Sequence, residues 1–162
     1  NRFYAVRDRG LKETLSEEEL EDVTNGFSTN PNSLESKEGW FVSFGTNKGE
    51  KVTGVPVVAY GVVYFTTFFP SSHSGENTAR LYALNYKNGN AILNLNAGND
   101  KEGVRIDLSD RSRVIGVGVP SGTVFSAVKG RLVAYTGING GIYETPVKKR
   151  STILPVWWRQ VF

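Results

Sequence analysis

The stretch VPVVAYGVVYFTTFF at positions 55–69 decides the fold of this chain. It is rich in valine, tyrosine, phenylalanine and threonine, which favour strands, and Gly61 divides it into two short apolar segments. It is also shorter than the roughly 20 apolar residues that a membrane-spanning helix needs, so we expect no transmembrane segment. The stretch predicts two strands, at 57–60 and 62–68, joined by a tight turn.

Two Asn-Gly pairs extend this pattern along the chain. Asn88-Gly89 separates RLYALNY from the apolar segment 91–95, and Asn139-Gly140 follows a further apolar run. Asn-Gly is a strong hairpin signal, because both central residues of a type I′ turn have positive φ. We therefore expect a series of antiparallel hairpins, with a strand at 91–95.

The hairpins recur. The Val-Pro steps at positions 55 and 119 lie 64 residues apart, and each precedes a strand, a glycine turn and a second strand. Likewise, RFYAVRD near the start echoes RLYALNY at 80–86. Repeats of short antiparallel strands are typical of β-propeller blades.

The predicted fold is all-β, with antiparallel β-propeller-like blades in one unit, 1–162. We expect a blade remnant at 1–54, a blade at 55–96 with an insertion at 97–113, and a terminal blade at 114–162. About two and a half blades form an incomplete ring, because propellers close with roughly 4 to 8. The remainder of a propeller or a partner chain must then cover the exposed faces and edges.

One short helix is expected within an insertion. Ser16 and Glu19 have the spacing of a capping box, and Glu17 and Glu18 add negative charge where a helix N-terminus favours it. This predicts about two helical turns over 16–22. We interpret the acidic run as a solvated helix start rather than a cation site.

Composition and charge narrow the possible functions. The 162 residues include no Cys, which excludes a disulfide scaffold, a thiol catalyst and a cysteine-held metal. The absence of Met and the abrupt start at Asn1 indicate a processed product or part of a longer protein. The net charge of +3 divides into −4 for residues 1–50, +1 for 51–100 and +6 for 101–162, so the two ends should attract each other or neighbouring copies.

Five residues near the C-terminus are candidate partner contacts. A short basic run is formed by Lys148, Lys149 and Arg150. A nucleic-acid site needs a larger cluster of basic side chains together with aromatic side chains that stack on the nucleobases, so we expect a solvated turn and no nucleic-acid partner. Trp157 and Trp158 point to opposite faces if they lie on a strand. One would then lie in the core, and the other would be covered by another segment or contact a partner.

A second cluster precedes the strand expected at 114–118. Asp107, Asp110, Arg111 and Arg113 could be an acid–base pair with neighbouring guanidiniums, but we favour structural ion pairing that pins the inserted loop to the next blade. The single histidine, His73, is expected in an exposed loop. We predict no catalytic residues.

Several strings, taken together, resemble a known family. They are RFYAVRDRG (2–10), GEKVTGVPVVAYGVVYFTTFFPSS (49–72), ARLYALNYKNGNAIL (79–93), LSDRSRVIGVGVPSGTVFSAV (108–128) and WWRQVF (157–162). In this order they resemble the C-terminal end of the PilY family of type IV pilus tip-associated adhesins, whose propeller is quinoprotein-like.

The resemblance implies a noncatalytic module of a much longer secreted protein. It would lie outside the cell, on the pilus or the cell surface, and support pilus assembly and adhesion with pilin or minor pilins as partners. Some relatives bind calcium in an aspartate-rich loop, but the segment 96–103 has too few carboxylates. We therefore predict no cofactor here, and calcium only in an upstream part of such a protein.

Two alternatives remain open. The chain could be the subunit of an extracellular pilus or filament that completes its β edges with a partner chain. It could also be a fragment of a quinoprotein-type dehydrogenase, although the sequence lacks a recognisable metal-ligand set.

Overall fold

The structure, a computed structural model, describes residues 1–8, 10, 14–26, 36–45, 49–70, 77–100, 102–103, 106–129 and 131–147. Within these ranges the chain is mostly β, as predicted. The strands are β1 (Arg2–Val6), β2 (Leu20–Asp22), β3 (Gly39–Ser43), β4 (Lys51–Val52), β5 (Val57–Ala59), β6 (Val62–Phe69), β7 (Thr78–Asn85), β8 (Ser112–Val117), β9 (Thr123–Val128), β10 (Arg131–Ile138) and β11 (Gly141–Pro146). Short 3₁₀ helices lie at Glu17–Glu19, Ala97–Asn99 and Leu108–Arg111.

The strands form three sheets. The first sheet has the order β1-β3-β2, and the third has the order β11-β10-β9. Between them in sequence, the middle sheet has the order β4-β6-β7-β8, with β5 also pairing with β6. All the pairings are antiparallel except that of β2 with β3, where Leu20 lies opposite Gly39 in a parallel register.

The central strands of the middle sheet, β6 and β7, are buried on both faces. Successive residues of a strand point to opposite faces. Val63 and Phe65 of β6 pack with the first sheet, whereas Val62 and Tyr64 lie on the other side, against Phe125 of the third sheet. A strand covered on both sides favours a nearly continuous apolar run. β6 departs from such a run only at Thr66 and Thr67, whose hydroxyls donate to the carbonyl of Ser121 and the carboxylate of Glu50.

Aromatic rings fill the space between the first and middle sheets. The ring of Phe65 stacks on Phe3 at a centroid distance of 3.9 Å and on Tyr82 at 4.8 Å. Trp40 is buried beside Phe3, and its indole N–H donates to the carbonyl of Tyr86 at 3.0 Å. These contacts join the start of the chain to β6 and β7.

The third sheet packs on the opposite side. The ring of Phe125 meets Tyr64 edge to face, with centroids 5.3 Å apart, and Ile138 and Tyr143 pack on a buried cluster of Ala79, Leu81 and Ile115. The middle sheet therefore lies between the other two.

The two Val-Pro repeats meet in space. The hydroxyl of Thr66 donates to the carbonyl of Ser121 at 2.9 Å. A methyl group at Gly54 would lie 2.6 Å from the Cα of Gly122, so the backbones approach too closely for side chains at this point. The regions where the two sequence repeats begin are thus neighbours.

A buried carboxylate lies beside β4. Glu50 is 1% exposed and accepts hydrogen bonds from the hydroxyls of Thr67 (2.6 Å) and Tyr82 (2.9 Å). Its main-chain carbonyl accepts from the side-chain amide of Asn1 at 2.8 Å. These hydrogen bonds compensate for burying the carboxylate, and they hold Asn1 and Glu50 against the middle sheet.

The predicted helix over 16–22 is wrong in length. The carboxylate of Glu19 accepts from the N–H of Ser16 at 2.6 Å, but the helix is one 3₁₀ turn at Glu17–Glu19. Leu20 is buried and begins β2, which pairs with β3. Pairing with a neighbouring strand overrides the local preference for helix.

The turn expected at Asn88-Gly89 is also different. Only Gly89 has positive φ (64°), so the turn is not type I′. The N–H groups of Asn88 and Gly89 both bond to the carbonyl of Asn85, at 3.3 and 2.8 Å. Beyond this turn the expected strand at 91–95 is reduced to a single bridge between Leu84 and Ala91.

On the edge of β7 away from β6, the paired strand is instead β8, over Thr78–Tyr82. Residues 91–95 fill space on the middle sheet, where Leu95 is buried and Ile92 and Leu93 pack on the cluster around Val62. The boundary predicted at 114 therefore falls inside a strand of the middle sheet.

The remaining hairpins follow the predicted positions. Tyr60 and Gly61 both have positive φ and join β5 to β6, as a type I′ turn requires. Asn139-Gly140 joins β10 to β11, but only Gly140 has positive φ (83°), which is the pattern of a type II turn.

Gly89 is the position where a side chain should be least tolerated. An added Cβ would lie 2.8 Å from Val23 and 2.9 Å from Trp40, and φ is positive. We expect Gly89→Ala to lower the free energy of unfolding by about 2 to 4 kcal/mol, combining backbone strain and overpacking. Urea unfolding of the purified chain measures this loss.

Gly140→Ala is the matched control, because φ is also positive there but nothing lies within 4 Å of the added Cβ. Its loss should be about 1 kcal/mol. Equal losses for the two variants would show that the approach to Trp40 does not constrain the turn.

Tyr64 should make stability depend on alkaline pH. Its side chain is fully buried, its hydroxyl has no hydrogen-bond partner among the described residues, and burial raises its pKa from 10.0 to about 12. The unfolded chain therefore loses this proton at lower pH than the folded chain. The contribution of Tyr64 to the free energy of unfolding is complete below pH 10 and is lost as the pH rises towards 12. Tyr64→Phe should remove up to about 2 kcal/mol of that loss.

Urea unfolding at pH 8 to 11.5 measures the effect, with Tyr60→Phe, at an exposed tyrosine, as the control. At pH 8, Tyr64→Phe should be neutral or stabilising because it removes an unpaired buried hydroxyl. Parallel pH profiles for the wild type and Tyr64→Phe would contradict this account.

Candidate functional site

The cluster predicted to pin the inserted loop lies around the 3₁₀ helix Leu108–Arg111. The carboxylate of Asp107 caps this helix by accepting from the N–H (2.8 Å) and hydroxyl (2.6 Å) of Ser109. These two hydrogen bonds lower the pKa of Asp107, with the hydroxyl contributing most. Asp107 thus acts on its own turn, which is a common role for an N-cap aspartate.

Asp110 closes the inserted loop. It is 1% exposed, and its two carboxylate oxygens accept from the N–H groups of Asn96 and Asp107, each at 2.8 Å. Hydrogen bonds to the ionised form compensate for burying the carboxylate. The two ends of the segment 96–110 are thereby held together.

Arg111 joins this loop to the first sheet. Its guanidinium donates to the main-chain carbonyls of Val23, Thr24 (3.3 Å) and Gly26 (2.8 Å). Burial lowers its pKa to about 10, because the charged form loses solvation. We expected ionic pinning to the following blade, whereas these hydrogen bonds run to the carbonyls of the segment after β2.

Arg113 is the member of the cluster that faces the third sheet. Its guanidinium carbon lies 5.9 Å from the ring centroid of Tyr143, and its side chain is exposed. The four predicted residues are therefore close in sequence but contact different parts of the molecule. Asp107 and Asp110 bind within the inserted loop, whereas Arg111 and Arg113 reach the segment after β2 and the third sheet, respectively. The guanidinium fork of Arg111 is recognisable from the residue type as a means to bind loop carbonyls, but no local pattern indicates which loop it binds.

A cleft of about 240 Å³ lies beside Arg113. Its lining consists of Leu93, Asn94, Leu95, Arg113, Tyr143, Thr145 and Val147. The Thr145 hydroxyl is buried and has no hydrogen-bond partner among the described residues. The cleft is smaller than the roughly 300 to 1,000 Å³ of drug-sized ligand sites, so it would accommodate a single side chain or a similarly small group.

The acidic segments considered as cation sites use their carboxylates in other contacts. Glu17 binds the guanidinium of Arg2 at 2.8 Å and the hydroxyl of Tyr4 at 2.9 Å. Asp100 accepts from the side-chain amide of Asn94 through both oxygens. In the ranges that the structure describes, no group of three or more His, Asp or Glu residues could hold a metal ion.

Several predicted residues lie outside the described ranges. They are Lys148, Lys149, Arg150, Trp157, Trp158 and His73. Their roles stay as predictions.

The third sheet has an exposed apolar outer face, which sequence analysis did not single out. Val124 is 63% exposed and Ile142 is 70% exposed, and both point away from the side that carries Phe125 and Tyr143. The pairing register adds Val128, Val133 and Tyr135 to this face, together with the polar residues Ser126, Arg131 and Glu144. The alternation of apolar residues on both sides of β9 is the signal that could have identified it.

The first sheet also has an outer face. Tyr4 and Val6 alternate with the buried Phe3 on β1 and are about half exposed. Tyr4 tilts against the ring of Phe41 at a centroid distance of 5.7 Å, and Glu17 lies beside it. Both outer faces are candidates for contacts with another protein surface.

None of the helices in the described ranges is long and apolar enough to span a membrane. No protein-family profile, curated protein or solved structure matches the chain.

Arg111 should be essential for stability. The substitution Arg111→Met leaves the carbonyls of Val23, Thr24 and Gly26 without these donors. We expect it to lower the free energy of unfolding, measured with urea, by about 2 to 4 kcal/mol. Arg111→Lys should recover little, because an ammonium lacks the planar fork.

Arg113→Met provides the matched control at an exposed position and should change the unfolding free energy by less than about 1 kcal/mol. If Arg111→Met were as mild as Arg113→Met, the link to the first sheet would contribute nothing to stability.

Proposed function

We propose that the chain is a noncatalytic β-propeller portion of a PilY-like type IV pilus tip protein, which supports pilus assembly and surface adhesion outside the cell. The observation that carries the architectural part is the middle sheet. Its strands β5, β6, β7 and β8 follow one another as an antiparallel meander, and neighbouring sheets cover both faces. This is the arrangement expected of an inner blade of a propeller.

The third sheet supports the same interpretation. Strands β9, β10 and β11 form a second up-and-down meander, which begins after the repeated Val-Pro step. The contact between Gly54 and Gly122 brings the starts of the two repeats together, as in successive blades around one axis. The first sheet would be the end of a preceding blade.

The pilus assignment rests on the sequence resemblance. The strings that carry it coincide with structural elements, since GVVYFTTF contains most of β6, LYALNY contains the second half of β7, and IGVGVPSGTVFSAV joins β8 to β9. The expected partners are pilin or minor pilins, together with the rest of a propeller. The uncovered outer faces of the first and third sheets are where such partners would bind.

Binding to isolated pili tests this proposal. The purified chain, labelled for immunogold microscopy, is mixed with type IV pili and, as the control, with flagellar filaments. We expect gold at pilus ends and none on flagella. Failure to bind pili would contradict the pilus assignment, whereas gold along the whole pilus would favour the filament-subunit alternative.

The filament-subunit alternative is supported by one observation of its own. Among the described residues, the first and third sheets each have exposed apolar side chains on an outer face, and residues 1–50 and 101–162 carry opposite net charge. A calcium-dependent alcohol oxidation, or the absorbance of a bound quinone, would instead indicate the dehydrogenase alternative.

A further inference from the structure

The Asn-Gly pairs are chemically reactive as well as being turn signals. The main-chain nitrogen of the glycine can attack the side-chain carbonyl carbon of the asparagine, because glycine has no side chain that hinders the approach. Three such pairs lie in the described ranges, at Asn25-Gly26, Asn88-Gly89 and Asn139-Gly140. Since the same dipeptide occurs in three surroundings, the fold decides which of them reacts.

The pair Asn139-Gly140 is open to this reaction. Both residues are exposed at the turn between β10 and β11, and a Cβ built on Gly140 meets nothing within 4 Å in the described part of the chain. Among the same residues, neither the side-chain amide of Asn139 nor the N–H of Gly140 has a hydrogen-bond partner. Neither the nucleophile nor the carbonyl that it attacks is therefore held by another group.

The pair Asn88-Gly89 is closed to the reaction. The N–H of Gly89 donates to the carbonyl of Asn85 at 2.8 Å, and the side-chain oxygen of Asn88 accepts from the N–H of Asn90 at 3.1 Å. Gly89 is also buried and packs against Trp40. This turn must open before the glycine nitrogen can attack, and the opening costs free energy.

The pair Asn25-Gly26 is exposed but restrained. Arg111 binds carbonyls on both sides of it, that of Thr24 at 3.3 Å and that of Gly26 at 2.8 Å. Ring closure rotates the peptide unit between these two carbonyls, and the guanidinium opposes that rotation. Asn25 should therefore react more slowly than Asn139 and faster than Asn88.

We propose that Asn139 is a site of spontaneous deamidation, with water as the only co-reactant. The nitrogen of Gly140 bonds to Cγ of Asn139, the Cγ–Nδ2 bond breaks, and the proton of that nitrogen leaves with Nδ2 as ammonia. Water then opens the resulting succinimide ring at one of its two carbonyls, which leaves an aspartyl or an isoaspartyl residue. This inference goes beyond the proposed function and does not depend on it.

Both products change the end of the β10–β11 hairpin. Each adds a negative charge at an exposed turn, and the isoaspartyl form also adds a carbon to the main chain between Ile138 and Gly141, which pair across the turn. The turn lies against the segment that follows β8, since a Cβ on Gly118 would be 3.2 Å from the Cβ of Asn139. The modification thus alters charge and geometry where the third sheet meets the middle sheet.

Peptide mapping by liquid chromatography and mass spectrometry tests the proposal on the full 162-residue chain, kept folded in mildly alkaline buffer. We expect conversion at Asn139 to be about tenfold or more faster than at Asn88, with Asn25 between them, because the turn at Asn88 must first open. In concentrated urea the three rates should converge to within about threefold, because the unfolded chain no longer distinguishes the pairs.

Two variants at the turn sharpen the test. Gly140→Ala places a methyl group beside the attacking nitrogen and should slow conversion at Asn139 about tenfold or more. Asn139→Gln is the matched control, because it keeps a side-chain amide but would have to close a larger ring, so this position should stay unmodified. Neither variant should change the rates at Asn25 and Asn88, and circular dichroism establishes that both are folded.

Three results would overturn the proposal. The first is a rate at Asn25 or Asn88 that equals or exceeds the rate at Asn139 in the folded chain. The second is an unchanged rate in folded Gly140→Ala. The third is the same ranking of the three pairs in urea, which would assign the difference to local sequence instead of to the fold.

Discussion

The burial of β6 on both faces is the constraint on which the rest of the structure depends. Because this strand has no solvent side, a sheet must cover each face, and each covering sheet must present large apolar groups towards it. Phe3 and Trp40 do so from one side, and Phe125 does so from the other. The chain therefore cannot be divided into independent halves around β6, although the covering residues are up to 122 positions apart in sequence (125 minus 3). The same constraint gives the first and third sheets an outer face each, because each of them covers the middle sheet with only one of its two sides.

Local signals in the sequence predicted the parts of the fold that neighbouring residues determine. The strand composition around Gly61 and the repeated Val-Pro steps indicated the all-β architecture, and the tight turns at Gly61 and Asn139-Gly140 lie where expected. Failures occurred where distant residues decide the outcome. Leu20 lies in a strand rather than in the predicted helix because it pairs with Gly39, 19 positions later. Residues 91–95 pack on the core instead of forming the predicted strand. No short-range pattern contains that information.

The candidate site shows the same division. The capping role of Asp107 follows from its place before Ser109, and it could be anticipated from the chain alone. The target of Arg111 could not, because three carbonyls more than 80 positions away had first to be gathered in one place. The outer face of the third sheet was likewise hidden. Its side chains are ordinary strand residues, and only the pairing register shows that they share one side.

The reach of Arg111 also has a consequence for how the protein is made. Val23, Thr24 and Gly26 leave the ribosome long before residue 111, so their carbonyls must remain hydrated, or bound to something else, until the guanidinium emerges. A nascent chain that stalls before that point would have the first sheet's strands but not the group that locks the segment beyond β2. The carbonyls of this segment thus gain their guanidinium donor only after residue 111 is synthesised, and truncated chains that lack it should be cleaved more readily by proteases at residues 23–26.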